Sequence, residues 1–364
     1  MLMMRPNNPL TLAPDYCCPT CKGSLTWQED AAVLHCSACA VDWAVQGGIP
    51  CFVPQERLAA YGLAEGMSDL ARLAETAGWR AALAQHLQSL GRGRAYAQEY
   101  VSSEARADFR FLMTLPERPV ILDVGSGWGN IAVAFGRTAA RVYALDTTLA
   151  NLQFVHARAR QEGVETVHPV LGDAVQLPLK PLICDAVTMV GVLEWVAWGR
   201  SDGAPRALQH QALREAFRVL RPGGQLYIGI ENRFSGKSFL GFREPHTWLR
   251  FISLLPRRLA DAYSKWARGK PYRELTHSEH VLCQMLREAG FSSIQRYYPL
   301  PSYQNFRYIA PLGNRYTDRF LFSRLGGHGN FGLFPQAAVR IASDLRLLRT
   351  LAPCFSFIAT KQHG

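Results

Sequence analysis

The chain has 364 residues, 48% of them apolar, with 40 Lys or Arg against 29 Asp or Glu, a formal charge of +11. That size and apolar content argue for a globular protein of one large and one small domain. No stretch reaches the ~18 uninterrupted apolar residues of a membrane-spanning helix, and the basic surplus favours acidic partners: nucleic acid, an anionic membrane surface or a phosphorylated substrate.

Met1 to Leu10 has neither the charged start nor the apolar core of a signal peptide, so cytoplasmic residence is the expectation. In that compartment nine cysteines suggest thiolate chemistry or metal rather than disulfides. The first predicted element, residues 14–54, fits this reading. Cys18-Pro19-Thr20-Cys21 and Cys36-Ser37-Ala38-Cys39 are two C-x-x-C knuckles separated by fourteen residues. That spacing brings the thiolates of Cys18, Cys21, Cys36 and Cys39 onto one tetrahedral ion. Leu25-Thr26-Trp27 and Val33-Leu34-His35 supply a hairpin between the knuckles. Cys17 leaves a second register open, though Cys18 fits the C-P-x-C knuckle better, and chance pairs of buried cysteines are the competing reading. Four thiolates leave no open position, so the ion, read as Zn2+, holds structure and does no chemistry. A ribbon this small cannot be stabilised by burial alone, which explains the metal.

Residues 55–115 read as a helical connector, with Leu58, Leu63, Leu70, Leu73, Ala82, Leu83, Leu87 and Leu90 at helical spacing. Gly91-Arg92-Gly93-Arg94 interrupts it. Residues 116–364 form the third domain. Strands are predicted at 119–125, 141–146, 167–172, 184–190 and 225–231, and helices at 129–138, 148–162 and 205–220. Such alternation means an α/β fold, a parallel sheet covered on both faces, with ligands at the carboxyl ends of its strands. After a helix from Val281 to Gly290, a sixth strand runs from Phe291 to Tyr298, and Cys354 to Lys361 is the last, antiparallel strand. Insertions at about 233–279 and 300–352 are expected to roof the carboxyl edge and bind the acceptor.

The chemistry-bearing motifs fall at those strand ends. The first strand runs into Asp123-Val124-Gly125-Ser126-Gly127-Trp128-Gly129-Asn130. This glycine-rich turn lets backbone approach a ligand, but its glycines, at 125, 127 and 129, depart from the dinucleotide pattern G-x-G-x-x-G. Asp146, which closes the second strand 21 residues after Gly125, can accept both hydroxyls of a ribose; capping the next helix is its competing role. Gly172-Asp173-Ala174 ends the third strand, Val190-Gly191 the fourth, and Pro222-Gly223-Gly224 turns into the fifth.

In order and spacing, this series from about 119 to 232 resembles the class I S-adenosylmethionine-dependent methyltransferases of type 11. The resemblance implies a Rossmann-like seven-stranded methyltransferase sheet and an S-adenosylmethionine site made by Asp123, Gly125, Ser126, Gly127, Trp128, Gly129, Asn130, Asp146, Thr147, Asp173, Ala174, Val190 and Gly191. It places Asp173 against the adenine amino group; an ordinary turn Asp is the alternative. The ribbon, from Tyr16 to Pro54, resembles the small zinc ribbon that activates tRNA and release-factor methyltransferases, a relative of which precedes the catalytic domain in some rRNA methyltransferases.

Methyl transfer from a sulfonium is an in-line displacement, so alignment is the main task, with proton removal added for a weakly acidic acceptor. Glu194, Glu231 and His246, just past strands four and five, are the candidate bases. A structural hydrogen bond or a solvated cap is the plain alternative for each. Glu231-Asn232-Arg233, Gly236-Lys237 and Tyr297-Tyr298-Pro299-Leu300-Pro301-Ser302-Tyr303 resemble a methyltransferase subgroup encoded among envelope-glycan assembly functions, which implies a sugar, glycan or lipid-linked small molecule as acceptor. Between Arg233 and Leu275 stand ten Lys or Arg and three Asp or Glu, a net of +7. Within this insertion, Trp248 to Arg258 is both apolar and basic, so a peripheral seat on the inner face of an anionic membrane stands beside a lid packed on the sheet. An rRNA or tRNA methyltransferase is the rival function, and a non-catalytic binding scaffold the rival of another class. Nucleic acid is the weaker partner, since the ribbon has no basic run interleaved with aromatics.

Overall fold

Ribbon, connector and sheet follow one another in the computed structural model, which describes residues 15–54, 57, 67–88, 94–314, 316–317 and 348–362. The ribbon is an antiparallel sheet in the order β1 (Leu25–Gln28), β2 (Val33–Cys36), β3 (Val41–Gln46) and β4 (Ile49–Pro50). The expected hairpin is β1 on β2, with Leu25 opposite Cys36. The connector supplies α1 (Met67–Ala77), α2 (Trp79–Gln88), α3 (Arg94–Ser102) and a 3-10 segment, Glu104–Leu112. Leu58, Leu63, Leu90 and the Gly91-to-Gly93 break lie outside the described residues.

The third segment alternates β5 (Val120–Val124), α4 (Asn130–Gly136), β6 (Arg141–Asp146), α5 (Leu149–Gln161), β7 (Val167–Leu171), β8 (Cys184–Val190), α6 (Pro205–Val219) and β9 (Leu220–Glu231). Then come α7 (Gly236–Phe239), α8 (Arg257–Arg268), α9 (Glu279–Glu288), β10 (Ser293–Leu300), β11 (Tyr308–Pro311), α10 (Leu348–Leu351) and β12 (Cys354–Thr360). The sheet order is β11-β10-β12-β9-β8-β5-β6-β7. Its parallel block is β9-β8-β5-β6-β7, and β12 lies antiparallel between β9 and β10.

Seven of these strands follow the expected plan. The eighth, β11, comes from the second insertion and extends the edge by pairing with β10; residues 315 and 318–347 of that insertion lie outside the described residues. The fifth strand also begins earlier than 225. The pairing with β8 slips between Cys184 and Ala186, and Gly223 N–H and Lys361 N–H bond reciprocally to Lys361 and Gly224 carbonyls. The Pro-Gly-Gly stretch is therefore an irregularity inside β9, with Gly223 at φ +81°.

Alternation along the central strands sends residues to two cores. Leu122, Tyr143, Leu145, Val187, Leu226 and Ile228 meet α6 and α9 on one face. Ile121, Val142, Ala144, Ala186 and Tyr227 meet α4, α5 and the 3-10 segment on the other, where Phe109 stacks on Tyr227 with ring centroids 3.6 Å apart. The ribbon joins the first core through Tyr16, Trp43 and Phe52. Phe52 N–H also bonds Leu171 carbonyl at 2.7 Å, and Lys22 pairs with Glu215 at 2.7 Å. Asp15 accepts from Arg141 and Tyr143. α1 and α2 pack on α5 through Leu70, Ala74, Leu83 and Phe154.

Candidate functional site

Between β5 and α4 the chain turns on three left-handed residues, Gly125 (φ +68°), Gly127 (φ +51°) and Gly129 (φ +77°). L side chains resist this conformation, and space forbids them at two of the three. A Cβ on Gly125 would stand 2.4 Å from Val192 Cγ2, and one on Gly129 2.8 Å from Val155 Cγ2. The turn is strapped to the end of β6. Gly125 N–H and Ser126 N–H donate to Leu145 carbonyl, and Gly127 N–H donates to Asp146 Oδ2 at 2.9 Å. Asp146 Oδ1 accepts from Thr148 N–H at 2.9 Å and from Asn151. One carboxylate thus holds the glycine turn and the turn that leads into α5, whose N-cap is Thr148 and carries no side-chain cap bond. Burial raises the Asp146 pKa against these donors.

Beside the turn lies a cavity of about 220 Å³. Six expected cofactor residues line it: Gly125, Asp146, Thr147, Asp173, Ala174 and Gly191, with Trp195 and Trp198 on the open side. Asp173 is committed to structure as well, since its Oδ1 accepts from Val175 N–H at 3.0 Å and its Oδ2 from the buried Arg200. Sequence reasoning missed Arg200; its only signal was an arginine beyond the fourth strand.

The other seven are set back from this lining. Asp123 is buried, accepts from Thr188 Oγ1 at 2.6 Å, and has an Oδ2 without a hydrogen-bond partner among the described residues. Burial pushes its pKa up to about 7. Ser126 Oγ is likewise buried and unpartnered there. Asn130 and Trp128 point their side chains into the connector. The Asn130 amide donates to Tyr100 carbonyl at 3.1 Å, and the Trp128 ring meets Phe154 and His86 at 5.3 and 5.6 Å. Arg158, fully buried, ties Trp128 carbonyl to Val101 carbonyl. The connector thereby fixes the glycine turn from behind. Gly127, Gly129 and Val190 do not line the cavity either.

The three candidate bases come together. Glu194, from the turn after β8, Glu231, at the end of β9, and His246, from the first insertion, have ligand-capable atoms within 4.8 Å of one another. His246 Nε2 stands 3.7 Å from Glu194 Oε1 and 3.7 Å from Glu231 Oε2. Its Nδ1 is held by Glu244, which also accepts from His246 N–H, Thr247 N–H and Thr247 Oγ1. Burial lowers the His246 pKa, but the Glu244 bond and the charges of Glu231, Glu244 and Glu194 outweigh it and lift the value to about 9. Burial, then the Glu231 charge, pushes Glu194 well above the usual carboxylate range.

The cluster stands between two spaces. Trp195, on the cavity beside the glycine turn, meets the His246 ring edge-on at 4.8 Å. Glu231 and Glu244 line a second cavity of about 350 Å³ with Asn232, Ser235, Lys237, Arg243, Tyr303 and Gln304. Tyr303 Oη donates to Glu231 Oε1 at 2.7 Å. A Cβ on Gly191 would lie 3.0 Å from that same oxygen, so the two spaces are separated by little more than this tyrosine and the cluster. Among the residues that sequence reasoning missed here are Arg243, Glu244 and Gln304.

The first insertion carries its own small core of Ile252, Ala260 and Tyr272. It also exposes Phe239, Leu240, Phe242, Trp248, Phe251, Leu259 and Trp266. Trp248 and Phe251 are held at φ +59° and +60°, left-handed conformations that bulky residues adopt only at a cost. In the ribbon, Cys18 and Cys39 sulfurs are 3.6 Å apart and Cys21 and Cys36 sulfurs 3.4 Å. All four thiols are free and converge within 4.8 Å. Tetrahedral Zn–S bonds of ~2.3 Å set neighbouring sulfurs ~3.8 Å apart, so the donor set fits.

Residues 122–228 match the family model described as a methyltransferase domain. The biotin biosynthesis bifunctional protein BioHC of Cellvibrio japonicus is 31% identical over 144 residues, 39% of this chain and 26% of that protein. The demethylmenaquinone methyltransferase of Geobacillus kaustophilus is 27% identical over 195 residues, 52% of this chain and 78% of that protein. Over the first three relatives the chain spans only 26% to 39% of their length. Among solved structures, an S-adenosylmethionine-dependent methyltransferase from Thermotoga maritima is 19% identical with a TM-score of 0.41, covering 76% of this chain and 99% of that one. The domain that builds this site is a class I S-adenosylmethionine-dependent methyltransferase domain.

Proposed function

We propose that the protein transfers the methyl group of S-adenosylmethionine to a hydroxylated small molecule, a sugar or lipid-linked glycan, seated beside Glu231. The observation that carries this is the placement of Glu231, Glu194 and His246 between a cavity at the glycine turn and a second, hydrogen-bonding pocket. On this reading Asp146 takes the ribose hydroxyls, and Asp173, Thr147, Ala174 and Gly191 wall the adenosine. Asp123 Oδ2, Ser126 Oγ and the turn backbone from Gly125 to Gly129 serve the methionine end, while Trp128 and Asn130 hold the turn in place. The acceptor oxygen attacks the methyl carbon, the carbon–sulfur bond breaks to leave neutral S-adenosylhomocysteine, and the acceptor proton passes to Glu231. Zn2+ at Cys18, Cys21, Cys36 and Cys39 supplies structure only. The division into a ribbon (14–54), a connector (55–115) and a catalytic domain with two insertions (116–364) belongs to the same reading.

Serine, lysine, arginine and glutamine side chains in the second pocket suit a hydroxylated or anionic acceptor better than a flat apolar ring. That weighs against a quinone acceptor, which the name of the Geobacillus relative brings to mind. The exposed aromatics of residues 239–266, set among the arginines of a segment with a net of +7, favour a lipid-carried form delivered from an anionic surface. The test is transfer of radiolabelled methyl into cell fractions separated as RNA, lipid-linked glycan, quinone, protein and small metabolites, with sedimentation on anionic vesicles alongside. Label in the glycan or sugar fraction and co-sedimentation with vesicles are expected. Label confined to RNA or to quinone would overturn the acceptor.

A further inference from the structure

We infer that Glu194, Glu231 and His246 bind one divalent first-row cation, with Glu244 fixing the histidine behind it. The inference rests on the acceptor reading above only for its use, not for its existence.

Four observations converge. Glu194 is 1% exposed, and neither of its carboxylate oxygens has a hydrogen-bond partner among the described residues. A buried carboxylate left so is costly unless a positive charge faces it. Glu231 Oε2 is equally without a hydrogen-bond partner and faces the same point. The His246 ring faces both at 3.7 Å, an ion-pair separation longer than the about 2.7–2.9 Å of a charge-assisted hydrogen bond, so it leaves these oxygens without a bond. Ligands bound at ~2.0–2.2 Å stand from about 3.0 Å apart at right angles to about 4.4 Å across the ion, a window that contains both.

The fourth observation is Glu244. Metal-bound histidines characteristically give their other ring N–H to a carboxylate, which sets the tautomer and aims the free lone pair. Glu244 receives Nδ1 and is itself immobilised by three further donors. Nε2 is left for the two glutamates. Two carboxylates and one imidazole suit Mn2+, Fe2+, Co2+ or Zn2+ better than Mg2+, which keeps to oxygen and water. Three protein ligands leave positions open toward the pocket that Glu231 lines. An acceptor hydroxyl placed there becomes more acidic, and Glu231 Oε1, bonded to Tyr303, remains on the second-pocket side.

Mn2+ is the probe, because thiolate sites such as the ribbon select softer ions. The full chain is titrated with MnCl2 while electron paramagnetic resonance follows the free ion. One bound Mn2+ per chain is expected, with affinity reduced tenfold or more in Glu194→Gln and in His246→Ala and unchanged in the surface variant Asp69→Asn. Absence of stoichiometric binding, or binding equal in all four proteins, overturns the site. Calorimetry with S-adenosylmethionine on the same samples separates the two claims: cofactor binding without Mn2+ binding removes the cation and leaves the methyltransferase reading standing.

Discussion

Glu231→Gln lowers the methyl-transfer rate by about 10²- to 10⁴-fold, the range for a lost general base, and leaves S-adenosylmethionine affinity unchanged. The apolar run Leu226-Tyr227-Ile228-Gly229-Ile230 of β9 is buried between neighbouring strands on both sides. Glu231 is where that strand leaves the sheet at its carboxyl edge. Burial within the strand fixes the backbone, and the Tyr303 bond fixes the side chain. The amide keeps the size of the acid and can still accept from Tyr303, so position is preserved while proton affinity is lost. Single-turnover transfer and thermal melting, measured on one preparation, decide the matter. A rate within threefold of wild type sinks Glu231 as the base; an equal loss of cofactor binding shows that the variant has lost structure instead.

Cys36→Ser strips the ribbon of its metal and lowers the melting temperature by roughly 10 °C or more. Cys36 is wholly buried, its sulfur 3.4 Å from Cys21. Three remaining thiolates bind zinc far more weakly, and a module of this size does not hold its fold by burial alone. Unfolding the ribbon withdraws Tyr16, Trp43 and Phe52 from the core they share with Leu122 and Tyr143. Each such side chain contributes about 1.5–3 kcal/mol, and a kcal/mol shifts melting by about 2–4 °C in large domains. Cys17→Ser, outside the four-sulfur cluster, retains one zinc per chain by atomic absorption. If Cys17→Ser loses the metal and Cys18→Ser keeps it, the knuckle register is wrong; if chelation removes the metal and leaves melting unchanged, the ribbon is held together by packing alone.

The parallel block was legible because its strands are continuous apolar runs between turn signals, as strands buried on both faces must be. Val120-Ile121-Leu122 and Ala186-Val187-Thr188-Met189-Val190 leave little room for another reading. β11 was not legible: Tyr308-Ile309-Ala310-Pro311 is short, ends in proline and exists only because the β10 edge offers it a partner. The glycine turn was readable as a turn, but what each residue in it does was not. Whether Asn130 faces a ligand or a connector depends on where the connector lies, and Tyr100 is thirty positions away. The three candidate bases were proposed one by one from their places after strands. Their convergence depends on the path of an insertion whose His246 stands fifteen residues beyond Glu231. Glu244 carried no periodic or motif signal at all.

The most direct measurement is calorimetric titration of S-adenosylmethionine into the full-length protein and into Asp146→Ala. Saturable binding at one site per chain is predicted, weakened at least about tenfold in the variant, because charge-assisted bonds to a ribose contribute about 1.5–3 kcal/mol each. No binding to the wild-type chain, or binding that Asp146→Ala leaves untouched, contradicts the cofactor site on which the whole account stands.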